Sequence, residues 1–106
     1  MTYTVAFSPK AVTQLEELED YITQAGSPVI AARYVDAIIS YCENLYLFPL
    51  RGISREDLLP TLRTTHYRHT TIIAFTVDAD TETVSILGVF YGGQDYAALL
   101  QDEDNG

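Results

Sequence analysis

Tyr3, Val5 and Phe7 alternate with Thr4 and Ala6, a period of two that predicts a half-buried strand stopped by Ser8-Pro9. Ser8 is placed to cap the helix that follows, with Pro9 in its first turn, where the missing N–H costs nothing. Ala11, Leu15, Leu18 and Ile22 then recur at helical spacing, Glu16, Glu17, Glu19 and Asp20 fall mostly elsewhere around the axis, and Gly26 supplies a stop. Ser27-Pro28 repeats the cap-and-proline device. Ala31, Val35, Ile38, Cys42, Leu45 and Phe48 form a second apolar stripe, so two helices joined by a short turn must lie antiparallel as a hairpin. Pro49 ends it.

The stretch LRGISREDLLPT has no clear period and reads as an irregular arm with one short helical turn. LRTTHY, TTIIAFTV and TVSILGVFY are dense in β-branched and aromatic residues and read as three strands, with turns at Arg68-His69 and DADTE. In the last strand, strict alternation puts Val84, Ile86 and Phe90 on one face and Leu87, Val89 and Tyr91 on the other. Both faces are apolar. One can take the helical hairpin, and the other is left for a partner. Gly92-Gly93 breaks the strand, DYAALL adds a short helix, and 101–106 is expected to be an acidic, mobile end. The order β-α-α-β-β-β predicts a two-layer α+β domain over residues 1–100, a helical hairpin on a small, mainly antiparallel sheet. No glycine-rich turn follows a strand in a βαβ unit, which excludes a dinucleotide fold.

The chain has 106 residues, enough for one core, and a formal charge of −9 that repels phosphate backbones and anionic membranes. That charge is unevenly spread. Between residues 51 and 68, Arg51, Arg55, Arg63 and Arg68 face only Glu56 and Asp57, whereas residues 78–106 hold no base at all. Guanidinium groups suit bidentate pairing with carboxylates or phosphates. Such a band either neutralises the chain's own acids or waits for a partner. One cysteine excludes an internal disulfide, and the N-terminus has no signal-peptide pattern; a soluble, cytoplasmic protein is expected.

Little of the chain suggests catalysis. Cys42 sits in an apolar stripe, His66 and His69 lack a third ligand for a metal, and no cofactor motif is present. One constellation has residue types adequate for RNA cleavage: His66 or His69 to move protons, Arg63 and Arg68 to stabilise a pentacovalent phosphate, and Tyr91 to add a hydroxyl. The acidity of the chain and the absence of lysine after Lys10 count against it.

FSPKA at 7–11, LEELEDYI, GSPVIAARYVDAI at 26–38, FPLRG at 48–52, SREDLLPTLRTT at 54–65, IAFTVD at 73–78 and VFYGGQDYAALL at 89–100 together resemble the RelE/ParE superfamily of type II toxins, and its ParE branch more closely. The resemblance implies a helical hairpin on a small antiparallel sheet, and a toxin neutralised by a ParD-like DNA-binding antitoxin whose flexible C-terminal segment wraps it. It implies DNA gyrase as the target and a role in plasmid stabilisation. The alternative within the superfamily is an mRNA interferase acting at the ribosome. Relatives often carry a basic residue where this chain has Gly88 and Gln94, which weighs further against a nuclease. A member that keeps antitoxin binding and has lost its target is the remaining class. The residues expected to meet antitoxin or target are Arg51, Arg55, Arg63, Arg68, Phe90, Tyr91 and Gln94.

Overall fold

The computed structural model describes residues 3–105, with side chains through Leu100. Strand β1 (Thr4–Phe7) leads into helices α1 (Pro9–Ala25) and α2 (Pro28–Glu43), and α2 runs out in a 3-10 turn over Asn44–Tyr46. The strands β2 (Ile53–Ser54), β3 (Leu62–Tyr67), β4 (Thr71–Asp78) and β5 (Thr83–Tyr91) follow, and α3 (Tyr96–Asn105) closes the described chain. Both expected caps form: Ser8 Oγ accepts from the Ala11 amide, and Ser27 Oγ accepts from Val29 and Ile30. The second stripe is buried from Ala31 to Leu45, but α2 ends at Glu43, so Phe48 leaves the helical face and lies 65% exposed.

The sheet has five strands in the order β1-β5-β4-β3-β2, antiparallel except for the parallel β1–β5 pair. The additional strand lies in the arm, where Ile53 pairs with Thr64 and Ser54 with Arg63. Two residues carry no readable alternation, and it is the open edge of β3 that makes them a strand. Gly52 lets the arm approach that edge. It has φ +83°, and a Cβ there would stand 2.2 Å from the Thr64 carbonyl oxygen.

Opposed residues of paired antiparallel strands project to the same face. Strict alternation along β5 fails at a bulge: Ala74 pairs with Gly88 but Phe75 with Ile86, so Leu87 is an extra residue. Val84, Ile86 and Val89 therefore share the face that packs on the hairpin, with Tyr91 beside them, while Leu87 and Phe90 turn to the other side. Relative to Val84 and Ile86 this reverses the facing expected for Phe90, Val89 and Tyr91, whereas Leu87 lies opposite them as expected.

The hairpin face buries Ala11, Leu15 and Leu18 of α1 and Val35, Ile38 and Cys42 of α2 against Ile73, Phe75 and the β5 residues. Each large apolar side chain so enclosed contributes about 1.5–3 kcal/mol. Burial, aided by the neighbouring Glu43 carboxylate, pushes the Cys42 thiol up to about 12, so it packs as a small apolar group and supplies no thiolate.

The second face, expected to be left for a partner, is covered by the chain itself. Leu62, Ala74, Phe90 and Leu100 form its buried centre, with Leu58, Leu59, Leu87, Tyr96 and Leu99 around them. The helix expected at DYAALL continues to Asn105, and the mobile end expected at 101–106 lies outside the described side chains. No helix among the described residues is long and apolar enough to cross a membrane.

The ring of Phe90 lies on the Gly88 backbone, and a Cβ at 88 would meet its Cζ at 2.5 Å and Cε2 at 2.6 Å. Gly88→Ala should lower stability by roughly 1–3 kcal/mol through overpacking, read as a lower urea midpoint at unchanged slope. A midpoint equal to wild type would mean that Phe90 relaxes freely and the bulge is not tightly packed.

Candidate partner-binding surface

The four arginines do not form one band. Leu62, Thr64 and His66 of β3 face α3, whereas Arg63, Thr65 and Tyr67 face the hairpin, because their partners across β4 are Thr76, Ala74 and Ile72 in one set and Phe75, Ile73 and Thr71 in the other. Arg63 reaches the arm: its Nε donates to the Arg51 carbonyl at 3.1 Å and its Nη2 to the Gly52 carbonyl at 3.2 Å. It therefore holds in place the segment that carries Arg51.

Arg51 stacks over the Tyr41 ring at 5.3 Å, and Arg68 over the Tyr67 ring at 5.4 Å. Between them the Tyr41 and Tyr67 rings meet edge to face at 5.3 Å, Tyr34 approaches Tyr67 at 6.4 Å, and the Tyr41 hydroxyl shares a 3.0 Å hydrogen bond with Thr65 Oγ1. The result is a row of arginine, tyrosine, tyrosine and arginine along α2 and the end of β3. Stacking near the surface on such half-buried rings contributes about 0.5–1 kcal/mol and leaves the in-plane N–H donors of a guanidinium open to a second group. Arg51, Arg63 and Arg68 pair with no carboxylate among the described residues. Arg68 occupies the turn between β3 and β4 with φ +56°, a left-handed conformation uncommon for a residue with a side chain.

Beside Arg51 the chain exposes an apolar strip. Tyr46, Leu47, Phe48, Leu50 and Ile53 are all exposed, Leu50 by 67%. Scattered apolar residues on a surface are ordinary, but five exposed ones within eight positions next to an edge strand make a candidate docking surface.

Arg55 belongs elsewhere. It binds Asp57 through Nε at 3.0 Å and Nη2 at 2.9 Å, stacks over Tyr96 at 5.5 Å and donates to the Tyr96 hydroxyl, so it ties the arm to α3. The hydrogen bonds from Arg55 hold the Asp57 carboxyl below its ordinary range, and the same pairing holds the Arg55 proton more tightly.

The remaining expected residues separate. Phe90 is 1% exposed beneath Tyr96 and belongs to the second core, not to a binding surface. Gln94 accepts the Tyr91 amide at 3.0 Å through Oε1 and so shapes the turn out of β5. Tyr91 lies in a row with Thr71 and Tyr67 on the hairpin face, whereas His66 projects from the other face. His66 and Tyr91 therefore lie on opposite faces of the sheet, and His69 stands exposed in the turn between β3 and β4. No group of histidine, cysteine, aspartate or glutamate among the described residues is arranged to hold a metal. Reasoning from sequence missed Tyr34, Tyr41 and Tyr67. The seven-residue spacing of Tyr34 and Tyr41, two helical turns, was the available signal.

The family model for the ParE toxin of the type II toxin–antitoxin system parDE matches residues 5–96. No curated protein is matched. Among solved structures, the chain is similar to one of a chromosomal ParDE toxin–antitoxin system from P. aeruginosa, with TM-score 0.71 and 22% identity over 85% of this chain and 96% of that one. It is also similar to the RelBE2 toxin–antitoxin complex from Mycobacterium tuberculosis, with TM-score 0.68 and 24% identity over 89% and 95%. A mutant E. coli RelE toxin in the free state shares the fold at TM-score 0.67 and 13% identity, over 98% of each chain.

Replacing Arg55 by methionine keeps the stem that covers Tyr96 and removes the charge. In this variant the Asp57 carboxyl should titrate at its ordinary value by NMR, and the contribution to stability that wild type keeps above the unfolded-state aspartate pKa, and loses as pH falls through the lower folded one, should vanish. An unchanged Asp57 titration would assign its shift to some other group.

Proposed function

This chain belongs to the ParE toxin family of type II toxin–antitoxin systems, and from that premise we propose that its Arg51–Tyr41–Tyr67–Arg68 row and the apolar strip at 46–53 receive a ParD-like antitoxin. The observation that carries this reading is a set of guanidiniums without carboxylate partners among the described residues, set beside exposed apolar side chains, in a chain of net charge −9. An acidic, amphipathic segment that orders on docking satisfies both halves of such a surface. Its apolar side chains would cover Phe48 and Leu50, and its carboxylates would take the open donors of Arg51 and Arg68. Arg63 has a supporting part, since its hydrogen bonds fix the arm.

Arg51→Glu and Arg68→Glu should each weaken the co-encoded antitoxin at least tenfold in calorimetry, with a shallower salt dependence. Because the side chains of Arg51 and Arg68 make ring contacts but no hydrogen bond among the described residues, these variants should lower stability by no more than about 1 kcal/mol, read as a small fall in urea midpoint. Unchanged affinity in both would remove the row from the interface.

We infer further that the toxin acts by binding DNA gyrase. The separation of His66 from Tyr91 across the sheet supports a binding protein over an mRNA interferase. Expression without antitoxin should give gyrase-linked DNA breaks and filamentous cells, and the purified toxin should trap cleaved DNA on gyrase in vitro. Rapid translation arrest with cut ribosomal mRNA would establish the interferase instead, and normal growth would mark a member that retains only antitoxin binding.

A further inference from the structure

The cation row lies at the β2 and β3 side of the sheet, and a surface of opposite character lies at the β1 side. There the hairpin leaves a cavity of 270 Å³ lined by Phe7, Val12, Leu15, Val35 and Ile39, with Glu16 and Glu19 completing its wall. Val12 is 44% exposed at this site, and both glutamates are exposed. We propose that this acid-flanked apolar cavity is a second docking site, which receives a basic amphipathic helix of another protein, an apolar side chain seated on Leu15 and Val35 and lysines or arginines over Glu16 and Glu19.

Size argues for a side chain as the occupant. Pockets for small organic ligands begin at about 300 Å³. This one is smaller, and carboxylates are its only charged wall. Charge then fixes the sign of the partner. Glu16, Glu17, Glu19 and Asp20 stand within five positions of α1, and none of them has a hydrogen-bond or ion-pair partner among the described residues. A net charge of −9 draws a cationic segment from a distance and repels a second copy of the chain. Glu16 and Glu19 are three residues apart, so both meet one ridge of an approaching helix.

This site does not depend on the antitoxin reading, because the two surfaces lie at opposite edges of the sheet with β5, β4 and β3 between β1 and β2. The probe is a 15-residue helical peptide of leucine and lysine in amphipathic order, titrated into the full chain labelled at its methyl groups. Expected are shifts at Val12, Leu15, Val35 and Ile39, none with a leucine–glutamate or a lysine–alanine peptide, and at least tenfold weaker binding by the Glu16→Lys/Glu19→Lys double variant. Asp36→Lys/Glu43→Lys makes the same change in net charge elsewhere on the hairpin and should cost less than threefold. Equal weakening by the two pairs, or shifts spread over every acidic surface, would reduce the site to general electrostatics and overturn the proposal. So would shifts at 46–53 in place of the cavity, or shifts of the cavity methyls on concentrating the chain alone, which would make a second copy the occupant.

Discussion

Between the pairs Phe75–Ile86 and Ala74–Gly88, strand β5 carries one residue more than β4, and this extra residue sorts the aromatic and aliphatic side chains of the strand between two cores. Without it, Phe90 would join Val84 and Ile86 beneath the hairpin, and Val89 would face α3. With it, Val89 and Tyr91 complete the hairpin core, and Phe90 becomes the centre of a smaller core that α3 closes. The absence of a Cβ at Gly88 makes room for the Phe90 ring, so the bulge and the glycine are one device. The unpaired upper edge of β5 is covered at the same place: Gln14 Oε1 accepts the Val89 amide at 2.7 Å, and Ser8 Oγ donates to the Leu87 carbonyl at 3.1 Å. An open ladder edge is thereby satisfied by side chains of α1 and its cap.

Charge is handled differently at the two edges of the sheet. On the side of β2 and β3, the guanidiniums of Arg51 and Arg68 are oriented by rings instead of by acids, so they are ordered without being neutralised. Surface ion pairs contribute little to stability, and stacking here gives up little of it while preserving donors for a partner. On the side of β1, the carboxylates of α1 stay solvated around an apolar cavity. The two docking surfaces we propose are separated in this way, so that each edge would attract a chemically different segment and reject the other.

Arg55 shows how position decides the use of a side chain. It lies four residues from Arg51 in sequence, yet its partners Asp57 and Tyr96 make it part of the cover over the second core. The connection from β5 into that cover passes through Gly92 and Gly93, with φ +65° and +79°, where the chain turns back over the sheet. The face that alternation alone leaves apolar and open is thus closed within the chain. The exposed apolar surface lies instead on the arm, where Pro49 and the end of α2 prevent Leu47, Phe48 and Leu50 from reaching either core.

The elements of regular period were legible from the amino-acid order: β1, the two capped helices, β3, β4, β5 and the start of α3 follow from spacing, caps and breakers, which act over a few residues. The same holds for the inertness of Cys42 and for the concentration of arginine between positions 51 and 68. Strand β2 was not legible, because two residues become a strand only through the edge they meet. Nor was the facing of Phe90, since a bulge is defined by the count of residues between two strands and not by either strand alone. Whether a given arginine would be paired, stacked or structural depended on contacts as distant in sequence as Arg55 to Tyr96. Local forces wrote the elements, and the register between strands, with the side chains it brought within reach, decided which surfaces remain for other molecules.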